Sequence, residues 1–414
     1  MNRRQPSTLE LWDQHIHSFV TVCPQSESMA NTGCNMDKNN PEPNHKLAGI
    51  TLGIKDIIDV EGLPTGNGSD VCRYADAATE DAAVVASLRR AGAHIVGKTT
   101  TTEFAFTDPT NCRNPYNLNR SPGGSSSGSG ASVAAGIVDM ALGTQTAGSL
   151  CRPAAYCGVV GLKPTYGALP TKGVTPLAPS FDTVGIIARS VEIACKAFSC
   201  MIDAPSQRHQ NDRLDVVSAL LPTETRATKE TLAALNEASS ALGHASTPVR
   251  NFEFTTNVSD VVAAHRIVMN AEAAVAHKPL LTPEKLPLLR PNFRAGIEAG
   301  AAISATELED ARGLLSFATQ TFWQYLDGVD IVLTLPVPDA APLMGGSTGF
   351  QDWLTPWTVF GGPLVCLPWG LDSFGRPRSV MLAAHPGQDF NTLTMAKHLE
   401  KLAPMMPHPR LPAS

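Results

Sequence analysis

One stretch constrains this chain more than any other: Ser121–Thr165, SPGGSSSGSGASVAAGIVDMALGTQTAGSLCRPAAYCGVVGLKPT. It opens as a Gly/Ser loop, continues through apolar residues able to form a helix and then a short strand, and ends in a second Gly/Ser turn at Ala147–Gly148–Ser149. A core has little use for so many small hydroxyls, and glycines let the backbone approach a ligand or take positive φ. Two serine-bearing loops joined by one buried element suggest two hydroxyls held against each other. A flexible serine linker does not fit, because the apolar run Ala131–Leu142 follows without a break. Gly124–Gly128 formally matches GxSxG, but a nucleophile elbow needs a strand directly before it and an acid and a histidine after it. Here the turn Asn119–Pro122 precedes, and no later histidine stands out. The phosphate loop GxxxxGK followed by Ser or Thr is absent.

Upstream, Leu47–Ile54 is short and apolar, which predicts a strand with Lys55 at its end. Burying an ammonium is costly unless it is paired or neutralised. Lys55 can form an ion pair with Asp56 or Asp59 at a surface, or act as a base whose pKa burial lowers toward neutrality. Lys98, ahead of the polar loop Thr99–Thr102, competes for the second role.

Taken together, GIKD at Gly53–Asp56, GGSSSGS, GTQTAGS, CGVVGLKPT and Phe181–Gly185 (FDTVG) resemble the amidase signature family of serine amide hydrolases. The segments GIKDIID, GKTTTTEFA, GTQTAGS and RPAAYCG are similar to its malonamidase branch. The likeness is dense from Leu47 to Ser190 and thinner over 330–400. It implies an α/β fold, a large central mixed sheet covered by helices. It also implies an N-terminal segment 1–45 and a catalytic domain 46–414, with a signature core 47–190, a variable helical cover 205–325 and C-terminal strands 330–400.

Carried over residue by residue, the resemblance makes Ser149 the nucleophile, Ser125 the bridge after a cis peptide, and Lys55 the base. Backbone N–H groups of Thr146, Ala147, Gly148 and Ser149 would face the developing oxyanion, where losing one donor costs about 3 kcal/mol of barrier. No metal or organic cofactor is implied. The partner would be a small amide substrate, with no nucleic acid and no membrane, and a homodimer is left open. Gln145 and Cys151 stand where many members have Asp and Arg, and Arg152 follows one residue later. That arginine looks like a clamp for a substrate carboxylate, as in malonamate; a structural arginine closing a loop is the alternative. Thr358 and Met381 stand where the wider family often has Asn and Gln, which leaves the substrate open. Two competing readings remain: one component of a glutamine-dependent amidotransferase, and a non-catalytic binding module.

Composition narrows the classes further. The 414 residues are 43% hydrophobic and 17% charged with net charge −6, an ordinary enzyme profile and not that of a basic nucleic-acid binder. No run approaches the ~20 apolar residues of a membrane span, and the first residues lack the apolar core of a secretory leader. Nine cysteines without a CxxC pair suggest reduced thiols and a cytoplasmic setting. Cys157 reads as a small core residue, and His15–x–His17 lacks further metal ligands in its neighbourhood.

Periodicity predicts helices over Thr8–Val22, Thr79–Ala91 (capped by Thr79), Lys229–Leu242, Ser259–His277 and Thr306–Leu326. Ser304–Glu307 fits a capping box for the last of these. Cys23–His45 reads as a loop. His94–Val96, Ile331–Leu335, Leu364–Leu367 and Ser379–Ala383 read as strands. His265 and His277 read as helix-face or core residues. The aromatics Phe350, Trp353, Trp357 and Phe360 lie in a loop that either docks on the core or lines a pocket.

Overall fold

The computed structural model describes residues 7–23, 45–202, 214–221, 226–245, 249–253 and 258–411. In chain order the main elements are α1 (Thr8–Ile16), β1 (Phe19–Val22), β2 (Thr51–Lys55), α2 (Ala83–Arg90), β3 (His94–Thr99), α3 (Ser127–Ala134), β4 (Met140–Gln145), α4 (Cys151–Tyr156), β5 (Val160–Lys163), β6 (Thr183–Ala188) and α5 (Val191–Met201). They continue with β7 (Val216–Ser218), α6 (Lys229–His244), β8 (Val249–Asn251), α7 (Val258–Ala276), α8 (Pro291–Ala302), α9 (Ala305–Tyr325), β9 (Ile331–Thr334), α10 (Thr355–Val359), β10 (Leu364–Leu371), β11 (Pro377–Ala383) and α11 (Asp389–Leu402).

Among the described residues the strands form one mixed sheet in the order β1-β3-β2-β4-β6-β5-β10-β11-β9-β7-β8. Strand β2 is flanked by parallel partners β3 and β4, whereas β4–β6, β6–β5, β5–β10, β10–β11 and β11–β9 are antiparallel. Every residue of β4 and β6 is buried, as expected where helices cover both faces. This is the α/β architecture that the resemblance implies.

Helix α3 is unusual in that all of SGSGASVA is buried. Its hydroxyls are satisfied locally: Ser127 Oγ donates to Gly123 O, and Ser129 Oγ to Leu142 O. Small residues let the helix sit directly on the sheet. A Cβ at Gly128 would lie 2.1 Å from Ser18 O and 2.4 Å from Thr100 N, so no larger residue fits there.

Several expected boundaries move. The helix expected over Thr8–Val22 stops at Ile16, because His17 takes φ 51° and Asp13 Oδ1 accepts from Ser18 N and Phe19 N. The chain then turns into β1, which pairs with β3 at the sheet edge. Leu47–Ile50 is a turn, with Ile50 N on Leu47 O, so the strand begins at Thr51 and ends on Lys55 itself. The second helix starts at Ala83 rather than Thr79, because Asp81 is drawn to Arg89 and to Glu61 N. Strand β3 runs on through Gly97, Lys98 and Thr99. The loop expected over Cys23–His45 lies, beyond its two end residues, outside the described residues.

Helices α6, α7, α8 and α9 lie in the range expected as a helical cover, α8 without a matching expected helix, and the Ser304–Glu307 capping box is present, with Glu307 N on Ser304 Oγ and Ser304 N on Glu307 Oε2. The aromatic loop docks on the core: Trp353, Trp357 and Phe360 are buried, and Phe360 stacks on Phe322 at 3.8 Å. Only Phe350 of the four stays exposed. No helix among the described residues is long and apolar enough to cross a membrane.

Candidate active site

Lys55 ends a central strand and is fully buried. Its Nζ lies 2.7 Å from Ser125 Oγ and 2.6 Å from Thr144 Oγ1. Both partners are neutral hydroxyls. Desolvation lowers its pKa to about 7, against the opposing pull of the Asp182 carboxylate. The aspartates that could have paired it are engaged elsewhere. Asp56 forms a buried ion pair with Lys98 at 2.9 Å, and Asp59 accepts from Thr65 Oγ1. Lys98 Nζ also donates to Pro64 O and Thr65 Oγ1. Position distinguishes the two lysines: Lys98 is tied to Asp56, and Lys55 contacts Ser125 and Thr144.

The first serine loop leads directly into α3, and its Gly124–Ser125 peptide is cis, as the resemblance implies. Ser125 O accepts from Thr102 N and Ser127 N. Ser126 N donates to Ser149 O at 3.1 Å, and Ser126 Oγ bonds both Thr144 N and Thr144 O. These bonds lock the two serine loops together through their backbones, so the stretch that organises the sequence is also one spatial unit.

The second loop, Thr146–Ser149, connects β4 to α4. Its surroundings are fully engaged. Thr146 Oγ1 donates to Asp182 Oδ1 at 2.6 Å, and Asp182 Oδ2 accepts from Leu177 N and Ala178 N. Burial raises the Asp182 carboxyl despite those donors. Gln145 Oε1 accepts from Leu150 N and Cys151 N, and its Nε2 donates to Thr358 Oγ1 at 2.9 Å. The hydroxyl of Thr358 in turn donates to Ala147 O. Two of the departures noted in the sequence, Gln145 and Thr358, therefore meet in space and form one chain of hydrogen bonds. Ser149 itself is nearly buried, at 6% exposure. A cavity of about 90 Å³ opens against Thr144, Thr146 and Asp182.

Arg152 carries two readings from sequence, a clamp for a substrate carboxylate and a structural arginine closing a loop. The fully buried guanidinium is engaged within the fold: Nη2 and Nε donate to Gly124 O at 2.6 and 3.1 Å, with longer bonds to Thr348 Oγ1 and Gly349 O. Desolvation lowers its pKa to about 10. Cys157 is fully buried and burial raises its thiol pKa, which suits a core residue. His265 is fully buried and reaches Thr146 O from helix α7, and His277 reaches Pro176 O. No group of three or more His, Cys, Asp or Glu that could hold a metal occurs among the described residues.

Three contacts were not anticipated from sequence. Thr144 and Asp182 both lie inside motifs already recognised, GTQTAGS and FDTVG, so closer reading of those motifs could have raised them. His265 had no local signal, because its partner is far away in the chain.

The comparisons agree with this fold. A family model described as Amidase matches residues 7–393, and the chain belongs to that family. Over 172 residues it is 47% identical to Amidase 1 of Arabidopsis thaliana, covering 40% of this chain and 40% of the relative. Over 190 residues it is 42% identical to a glutamyl-tRNA(Gln) amidotransferase subunit of Anaeromyxobacter dehalogenans (strain 2CP-C), covering 44% and 38%. The chain thus spans about two-fifths of the length of these curated relatives. A crystal structure of an amidase superposes with TM-score 0.85 at 26% identity, over 96% of this chain and 97% of that one.

Proposed function

We propose that this protein hydrolyses a small carboxylic amide to the acid and ammonia through an acyl-serine intermediate. The observation that carries the reading is Lys55: a buried lysine with no carboxylate in contact among the described residues, bonded to Ser125 Oγ and Thr144 Oγ1, with a pKa lowered to about 7. Such a lysine is neutral often enough near pH 7 to accept a proton. Ser149 Oγ attacks the amide carbon, passing its proton to Ser125 as Ser125 passes its own to Lys55. The carbonyl oxygen becomes an oxyanion held by the N–H groups of Thr146, Ala147, Gly148 and Ser149. When the C–N bond breaks, the proton returns through Ser125 to the leaving nitrogen, which departs as ammonia. Water then enters by the same relay and releases the acid and free Ser149.

The test is labelling and turnover together. A fluorophosphonate should modify Ser149, found by mass spectrometry, and a panel of small amides should release ammonia from the purified chain alone. A chain that neither labels nor turns over is a binding module rather than an enzyme. The similarity to one component of an amidotransferase favours one second reading. In that case the chain would label but would need its partner chains for useful turnover.

A malonamate-like substrate needs a cation for its carboxylate, and Arg152 is the residue that the sequence offers. Its contacts support a different part: by holding Gly124 O, it fixes the residue just before Ser125. Arg152→Gln should lower kcat/KM about 10- to 100-fold on malonamate and propionamide alike, as expected for loss of charge-assisted bonds worth ~1.5–3 kcal/mol. It should also lower the melting temperature, because Gly124 O loses its buried donor. A loss confined to the acidic amide would restore the carboxylate clamp.

A further inference from the structure

The two peptide units that carry the innermost oxyanion donors are each held from behind. A peptide unit is planar and rigid, so the carbonyl of one residue and the N–H of the next move as one body. Thr146 O, the back of the unit that presents Ala147 N–H, faces His265 Nε2 at 2.9 Å. Ala147 O, the back of the unit that presents Gly148 N–H, accepts from Thr358 Oγ1. We propose that His265 and Thr358 are positioning residues that aim and polarise the oxyanion donors Ala147 N–H and Gly148 N–H. This inference rests on the amidase reading above.

The chemistry at each contact is determined. A carbonyl can only accept, so the His265 ring nitrogen facing it carries the hydrogen. The ring is fully buried and packs tilted against Phe181, centroids 4.4 Å apart at 40°, which leaves it little freedom. Desolvation lowers its pKa to about 4, so at working pH it is a neutral, single-tautomer donor and adds no charge to the site. Thr358 Oγ1 accepts from Gln145 Nε2 and directs its own hydrogen at Ala147 O, much nearer than its other acceptor, Leu354 O at 3.4 Å. The result is a chain from Gln145 through Thr358 and Ala147 to Gly148 N–H, and hydrogen bonds in series strengthen one another.

The need for such clamps follows from the loop. Position 148 suits glycine, because a Cβ there would press on Leu354 side-chain atoms at 3.0 Å. Glycine, however, leaves its peptide free to rotate. Preorganised donors are effective only if they do not reorient during reaction, so the rigidity that glycine lacks must come from elsewhere. It comes from two separate parts of the structure, the helical cover through α7 and the aromatic loop through α10. The helical region 205–325 thereby takes part in positioning the site.

The test compares wild type with His265→Gln, His265→Leu, Thr358→Ser and Thr358→Val. Ammonia release on the best amide of the panel yields kcat and KM. The rate of fluorophosphonate labelling at Ser149 reports the same donors independently of the leaving group. His265→Leu and Thr358→Val, which fill the space but donate nothing, should each lower kcat and the labelling rate about tenfold, less than the loss of a direct oxyanion donor, with KM within about twofold. His265→Gln and Thr358→Ser, which keep a donor, should recover most of that loss. If His265→Leu fails to fold, the near-isosteric Thr358 pair decides. The inference is overturned if both donorless variants keep kcat and labelling within about twofold of wild type. It is equally overturned if Gln and Ser rescue no better than Leu and Val. A wild-type chain that neither labels nor releases ammonia defeats the amidase reading itself, a different result from labelled wild type with unimpaired variants.

Discussion

Ser149→Ala should abolish ammonia release, by at least about 10⁴-fold in kcat, while the protein melts at the wild-type temperature. The loss is large because the reading gives no other group the bond-forming step. The fold should not respond, since what ties Ser149 to its neighbours is backbone: its carbonyl accepts from Ser126 N, a bond that alanine keeps. Fluorophosphonate labelling should disappear with the hydroxyl. Ser125→Ala is the informative companion, since it removes the relay but leaves the nucleophile, and some slow labelling should survive. If Ser149→Ala keeps near-normal turnover, the nucleophile assignment fails.

Lys55→Ala should be nearly as damaging, with kcat lower by roughly 10³-fold or more. The wild-type enzyme should also show a rise in kcat/KM with pH through about 7, the value to which burial lowers Lys55. The sign follows from the role: only neutral lysine accepts a proton, so activity falls about tenfold per pH unit on the acid side and levels off above. Stability should carry the same signature. The folded-state pKa lies below the unfolded one, near 10.5, so the unfolded chain binds the extra proton between the two values. Stability contributed by this site is therefore present above about 10.5 and is lost as pH falls to about 7. Lys55→Met should flatten that part of the melting-temperature profile and should melt higher than wild type at neutral pH. An activity profile flat from mildly acidic to alkaline pH rules out Lys55 as the base.

Much of the architecture is legible in the amino-acid order because it depends on neighbours. Helices α6, α7 and α9 lie within a residue or two of their expected ends, since an apolar stripe and a Ser304–Glu307 cap are local facts. The late strands begin or end where β-branched runs do. The Gly/Ser stretch announces two loops and a close-packed helix between them, because only small residues permit α3 to lie on the sheet. Boundaries went astray where a distant or competing bond intervened: Asp13 ends α1 early, and Asp81 holds Arg89 and Glu61 N ahead of a helix that starts past Thr79.

The site divides along the same line. By itself the sequence determined which residues are present: a lysine at a strand end, two serines in glycine-rich loops, and an arginine just beyond. Tertiary structure alone decided what each of them faces. Lys55 and Lys98 look alike on paper; packing leaves one on Ser125 and Thr144 and ties the other to Asp56. Arg152 reads as a free cation until the fold brings Gly124 O against it. His265 and Thr358 gain their roles only where α7 and α10 close over the second loop. Sequence order governs torsions and periodicity over a few residues. Partners separated by a hundred positions or more are chosen by which surfaces pack together, because only burial makes an unpaired polar group costly enough to demand one particular partner.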